Sequence, residues 1–293
     1  MRSKRNPIRN IMFILIFVLL TVYAISLIFT MFWTVYSSLK TSRDFLFYPF
    51  NLPKEYRFQN YAEIMKSMRV RVEDKKLVYY VYIWEMLYNS VVFTVGLALL
   101  NVVVPSLTAY IVSKYRFRGR KLIYNIAIIT MILPIIGALP SSLRVMETLN
   151  LRYNLFGVWF MAAGGFGFNF LILYSTFNSL SWNYGEAAFI DGAGNFRVYA
   201  TIMMPLIFPT LSALFILSFI GNWNDFMTPL IYLRNFPTIS YGIFVFEYEA
   251  TTLGFTVPHV LAGFIIAMLP IIAIFLMFQN TIMSNVTAGG LKG

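Results

Sequence analysis

The chain has 293 residues, of which 59% are hydrophobic and only 12% charged, against roughly 25% charged in an average soluble domain. It carries a formal net charge of +11, a single histidine and no cysteine. This composition excludes a soluble globule, a disulfide framework and a thiolate metal site, and it places the protein in a bilayer.

Crossing ~30 Å of hydrocarbon takes about 20 apolar residues. Six windows qualify: residues 11 to 38, 85 to 113, 122 to 143, 155 to 178, 205 to 233 and 259 to 281. Backbone groups in lipid must be bonded within their own segment, so the expected fold is an all-α integral membrane protein of about six transmembrane helices. The first window follows Arg2, Lys4, Arg5 and Arg9. It is too long for a signal-peptide core and lacks a small-residue cleavage site after it, so it reads as an uncleaved span.

Residues 39 to 84 carry "YPFNLPKEYRFQNY" and "RVRVEDKKL" and read as a long extracytoplasmic excursion without a core of its own. Beyond the second window lies the densest basic block, "KYRFRGRK", Lys114 to Lys121. It suits an anionic lipid surface on the cytoplasmic side. Nucleic acid is excluded, because short basic blocks separated by apolar spans do not make a continuous basic surface.

An even number of spans puts both termini on one side. With that side cytoplasmic, eleven of the 23 Lys and Arg lie inside and twelve outside, so the count alone decides nothing. The inner blocks are free of acids and the first helix usually dominates, which favours cytoplasmic termini.

After the fourth window comes "YGEAAFIDGAGNFRVYATIMMPL", Tyr184 to Leu206. Asn183 with Glu186 three residues on has capping-box spacing, which predicts a short helix ended by Gly192, with Gly194 confirming the break. Ala187 and Ala188 would leave its surface bare enough for a partner's backbone to approach. Phe189 and Ile190 would form an apolar knob between the charges of Glu186 and Asp191. A merely capped polar turn is the competing reading of the same residues.

The fifth window holds Asn222, Trp223, Asn224 and Asp225, whose amides, indole and carboxylate suit the hydroxyl edges and C–H faces of a sugar; tying helices together is the equal alternative. Residues 234 to 258, punctuated by Pro237 and Pro258, read as a second large external loop. Gly164, Gly165 and Gly167 are expected to permit close helix packing. Pro134, Pro140, Pro205, Pro209 and Pro270 are expected to kink or end helices.

Catalytic machinery is missing. His259 cannot build a metal site alone and reads as an interfacial or packing residue. No phosphate-cradling G-x-x-x-x-G-K-[ST] occurs, and "GAGNFR" lacks the third glycine of a dinucleotide loop. Glu85 and Asp225 are the only acids in or beside a span, a thin supply for ion coupling. The chain is therefore expected to be no enzyme, to bind no metal or cofactor, and to draw energy from another polypeptide.

"EAAFIDGA" followed by "IMMPL" resembles the EAA signature of permease subunits of ATP-binding-cassette importers, carried here by Glu186, Ala187, Ala188, Gly192, Ile202 and Pro205. Met204 in place of the usual Leu conserves volume. "GNWNDFMTPLIYL" (Gly221 to Leu233) and "NVTAGGLKG" (Asn285 to Gly293) are similar to the second permease of maltose-type carbohydrate importers. Most of residues 85 to 293 share the likeness.

The resemblance implies a type I importer permease in a bacterial or archaeal plasma membrane. Residues 1–84 would form the first span and external loop, 85–281 the permease core with a coupling segment at 181–205, and 282–293 a cytoplasmic tail. The partners implied are a second permease, two ATP-binding subunits carrying ATP and Mg, and an extracytoplasmic solute-binding protein delivering a sugar of oligosaccharide kind. Glu186, Ala187, Ala188, Phe189, Asp191 and Gly192 would couple to the ATPase, with Glu186 meeting a basic residue there. Another solute, such as a glycerol-phosphate-like compound, and a scaffold subunit that moves nothing are the alternatives.

Overall fold

A computed structural model describes residues 7–74, 77–133 and 137–290. Pro134 and the motif end Leu291 to Gly293 fall outside that range, as do Arg2, Lys4 and Arg5. The chain forms two compact units, one of residues 1–68 and 245–266, the other of residues 69–244 and 267–293.

The first unit opens with helix α1 (Pro7–Ser38). Its threonine hydroxyls return to its own backbone, Thr21 Oγ1 to Phe17 O at 2.8 Å and Thr30 Oγ1 to Ser26 O at 2.9 Å, which satisfies them within the apolar run. Helices α2 (Ser42–Phe47) and α3 (Gln59–Ser67) follow. The excursion shares a core with the later residues of its unit: Ile64 and Met68 are fully buried, and Ile64 lies against Gly263.

Several of its buried polar groups are bonded internally, although Ser37 Oγ, Asp44 Oδ1 and Asn60 Oδ1 have no hydrogen-bond partner among the described residues. Lys40 is buried and donates to the carbonyls of Tyr48 (2.8 Å) and Pro49 (2.9 Å). Asn60 Nδ2 donates to Ser38 O and Lys40 O. His259 Nε2 meets Glu63 Oε2 at 2.8 Å, while its Nδ1 faces Thr256 Oγ1 at 2.9 Å, so the lone histidine is held by hydrogen bonds on both ring nitrogens.

The second unit begins with an antiparallel hairpin of β1 (Arg69–Asp74) and β2 (Leu77–Tyr82), paired from Arg69↔Tyr82 to Asp74↔Leu77. Helix α4 (Ile83–Lys114) starts where Glu85 Oε2 accepts from Tyr82 N at 2.9 Å. Pro105 inside α4 has no N–H to give the carbonyl of Asn101 one turn earlier. Asn169 Nδ2 supplies the missing bond at 2.7 Å, so the Asn101 carbonyl is not stranded.

Three of the six expected windows are unbroken helices: α1, α4 and α15 (Val257–Gly290), and these are the described helices long and apolar enough to cross a membrane. The other windows are interrupted. The third divides into α5 (Arg120–Ile132) and α6 (Ala138–Thr148). The fourth divides into α7 (Leu155–Ala162) and α8 (Phe168–Ser179), where the Gly164 to Gly167 stretch breaks the helix. Gly165 stands against α4 as expected, since a Cβ there would lie 2.9 Å from Thr108 Cγ2, and Thr108 Oγ1 donates to its carbonyl at 2.7 Å.

Between α8 and the fifth window lie helix α9 (Asn183–Ile190), α10 (Asn195–Arg197), a π-helical turn (Val198–Met203) and α11 (Met204–Leu206). Helix α12 (Phe208–Trp223) then leaves at 79° to the Asn195–Leu206 stretch. Pro205 and Pro209 flank that corner, as expected of helix-ending prolines. Helix α13 (Met227–Tyr232) completes the window. The region expected as a large loop contains helix α14 (Ile239–Glu249), whose first amide donates to Ser90 Oγ at 2.7 Å.

Candidate coupling and substrate sites

Helix α9 does not begin as the spacing predicts. Asn183 is already helical, the preceding residue is Trp182 with αR backbone, and no side chain caps the end; Asn183 N donates instead to Ser181 Oγ at 3.3 Å. An aromatic anchor starts the helix in place of a capping box. The Trp182 ring lies over Gly185, meets Phe189 at 5.9 Å between centroids, and takes Tyr115 edge-on at 5.7 Å.

A period of 3.6 residues puts 182, 185 and 189 on one face, with 188 beside them. That face turns inward. Ala188 is only 6% exposed and sits in the core with Tyr110, Phe177, Val198 and Tyr199. The bare surface expected of Ala187 and Ala188 together is therefore corrected: Ala187 is exposed, Ala188 is not. Phe189 is half-buried against Trp182, and the knob of the pair is Ile190 alone, 87% exposed.

The C-terminus closes as predicted. Gly192, at φ 82°, allows Gly192 N to reach Phe189 O at 3.0 Å and Ala193 N to reach Ala188 O at 2.9 Å, a Schellman closure. Asp191 occupies the cap. Around this helix the exposed groups include Tyr184, Glu186, Ala187, Ile190 and Asp191, joined by Phe196 at 74% exposure and by Arg197. Neither acid has an ion-pair partner among the described residues. Glu186 lies in the first turn, where a negative charge is favoured by the helix dipole.

The body grips this segment from α4. Lys114 Nζ donates to Leu180 O at 2.6 Å, and the Tyr115 hydroxyl donates to Asn195 Oδ1 at 2.9 Å. Deeper, Tyr110 contacts Phe177 and Tyr199, whose hydroxyl donates to Ser106 Oγ at 3.2 Å. The reading from sequence missed Trp182, Tyr115 and Phe196. A tryptophan just before a helix of small residues was the available signal.

The four polar residues of the fifth window do not act as one cluster. Trp223 is 2% exposed, stacked on Phe219 at 5.7 Å, and its Nε1 donates to Ala267 O at 3.1 Å. Asn224 Nδ2 donates to Ile220 O at 2.9 Å. Asp225 Oδ1 accepts from Thr228 N at 3.0 Å at the start of α13. Asn222 differs, because its Nδ2 is buried without a hydrogen-bond partner.

Three helices long and apolar enough to cross a membrane, broken helices between them and a short exposed helix anchored by one face are consistent with a transporter subunit. Residues 101–288 match the binding-protein-dependent transport system inner membrane component family, and the chain belongs to that family. It is a multi-pass protein of the inner membrane.

Among its relatives, the trehalose/maltose transport system permease protein MalG of Thermococcus litoralis is 30% identical over 92% of this chain and 93% of that protein. The diacetylchitobiose uptake system permease protein NgcG of Streptomyces coelicolor is 27% identical over 94% of this chain and 87% of its own length. A solved bacterial ABC transporter involved in import of the acidic polysaccharide alginate has a chain that superposes with a TM-score of 0.73. The match covers 95% of this chain and 99% of that one at 24% identity, and it carries the fold, that of a type I importer permease.

Proposed function

We propose that this chain is one of two different permease subunits of an ATP-driven importer for a sugar of oligosaccharide kind. Two ATP-binding subunits carry ATP and Mg, an extracytoplasmic binding protein delivers the sugar, and both termini of this chain are cytoplasmic. The carbohydrate assignment is supported by relatives named for trehalose, maltose and diacetylchitobiose transport.

The observation that carries the coupling role is the two-faced character of α9. One face is packed into the body through Trp182, Gly185 and Ala188, and the other offers Glu186, Ala187, Ile190 and Asp191 with unspent charge. A helix held this way transmits force instead of absorbing it. Glu186 meets a basic residue of the ATPase, Asp191 is a second contact, and Gly192 shapes the exit. Closure of the ATPases on ATP draws the lever inward and alternates access to the path, provided ATP and the loaded binding protein favour the same state.

Along the path Asn222 is the sugar contact, because its amide has hydrogen-bonding capacity left, while Trp223, Asn224 and Asp225 position the elements around it. The segment 234 to 258 is the proposed contact of the binding protein. The test is ATP hydrolysis by the assembled transporter in vesicles: sugar-loaded binding protein stimulates it, and no stimulation by any loaded binding protein overturns the proposal.

A further inference from the structure

The turn from α4 to α5 concentrates positive charge that the protein does not use. Arg116, Arg118 and Lys121 are exposed, and among the described residues none of the three has an ion-pair partner. No Asp or Glu occurs between Glu85 and Glu147 in the sequence. Gly119, at φ 92°, reverses the chain between the two pairs Arg116 and Arg118, and Arg120 and Lys121. Apolar side chains interleave with the charges: Phe117 and Leu122 are both exposed.

Cations alternating with exposed aromatic and aliphatic side chains, next to a membrane-spanning helix, match the chemistry of a headgroup layer, with phosphates above and acyl chains below. Residues flanking these cations are bonded to the coupling segment and to the helix that leads into it. Tyr115 reaches Asn195 and Trp182, while Lys114 reaches Leu180 and Arg120 reaches the Tyr174 hydroxyl at 3.4 Å, at the end of α8 and within it. An anion held at this turn therefore pulls on the foundation of α9.

We infer that Arg116, Arg118 and Lys121 form a binding surface for anionic phospholipid headgroups that sets how firmly the coupling helix is seated. The inference rests on α9 being the coupling helix at the cytoplasmic surface.

The test uses the complete transporter in nanodiscs of phosphatidylcholine alone or with phosphatidylglycerol. Wild type is compared with the triple variant Arg116→Gln, Arg118→Gln, Lys121→Gln. Native mass spectrometry counts retained phosphatidylglycerol, and ATP hydrolysis is read in both lipids. Each cation near an anionic surface strengthens attraction about fivefold, so the variant should hold phosphatidylglycerol on the order of 100-fold more weakly. Its activity in pure phosphatidylcholine should match wild type, while the stimulation by phosphatidylglycerol is lost.

Equal retention of phosphatidylglycerol by both proteins overturns the inference. Loss of the ATP-binding subunits from the variant in pure phosphatidylcholine also overturns it, since the patch is then a protein dock. Glu186→Lys, measured alongside, separates the two readings: if that variant hydrolyses ATP and transports normally while the lipid difference persists, the coupling role falls and the lipid surface stands.

Discussion

Truncating Trp182 tests whether α9 is a rigid lever. In Trp182→Ala the helix loses two aromatic pairs, with Phe189 at 5.9 Å and Tyr115 at 5.7 Å, and the ring over Gly185. Such pairs contribute about 0.5–1.5 kcal/mol each beyond area burial, and removing a buried aromatic costs about 3–5 kcal/mol in all. Trp182 is only partly buried, which points to the lower end, about 3 kcal/mol. That cost falls locally, since α9 is short and the membrane-spanning helices keep their own contacts. A local loss of about 3 kcal/mol raises the opened population of α9 on the order of 100-fold.

Hydrogen–deuterium exchange of peptides covering residues 183–193 should accelerate by that factor, while peptides from α4 stay unchanged. Binding-protein-stimulated ATP hydrolysis should fall in parallel, with normal membrane insertion. Trp182→Phe should recover most of the protection. Unchanged exchange across residues 183–193 in Trp182→Ala would refute the anchoring argument.

Glu186→Lys should abolish or strongly impair sugar uptake with unchanged insertion; a buried unpaired charge at the ATPase contact costs several kcal/mol, and wild-type uptake would remove Glu186 from that contact. Gly96→Ala places a Cβ 2.3 Å from Trp159 Cε2 and Cζ2, so the ring must shift. Overpacking of about 1–3 kcal/mol outweighs the roughly 1 kcal/mol gained in helix propensity, and the melting temperature in detergent should drop, with Trp159→Leu relieving it. The Glu63 carboxyl is held below its usual range, first by the hydrogen bond to His259 and then by the charges of His259 and Arg57, against burial acting the other way. A depressed carboxylate pKa contributes stability that is present above the unfolded value and lost as pH falls through the folded one. Glu63→Gln should therefore lower thermal stability at neutral pH, with the gap to wild type closing below the ordinary carboxylate range; a constant gap across pH would contradict the pairing.

Composition alone made the membrane class legible, and the uninterrupted runs made α1, α4 and α15 legible as spans. The broken windows were legible only through prolines such as Pro205 and Pro209, because the other residues at the breaks are themselves apolar or small. Ile207 and the Gly164 to Gly167 stretch look the same to a hydropathy count as the helices they separate. The hairpin Arg69–Tyr82 was hidden because its second strand, "LVYYVY", does not alternate polar with apolar residues. For α9, the Gly192 exit was legible from a glycine whose φ of 82° the turn requires, but the entry was not, since a tryptophan holds it through tertiary contacts instead of local capping. Which of two adjacent alanines faced out likewise depended on the body beneath them. The fifth window's polar residues could be found but not sorted, because only their partners reveal that Asn222 alone keeps a buried donor free.

The corner at Ile207 has a mechanical consequence. Hydrogen bonds continue on both sides of it, from Ile207 N to Met204 O at 3.2 Å and from Leu211 N to Ile207 O at 3.0 Å. The two arms meet at 79°, each hydrogen-bonded as a helix up to the corner. On the proposed coupling role, a push along one arm would emerge as sideways travel of the other, so that a slide would become a tilt.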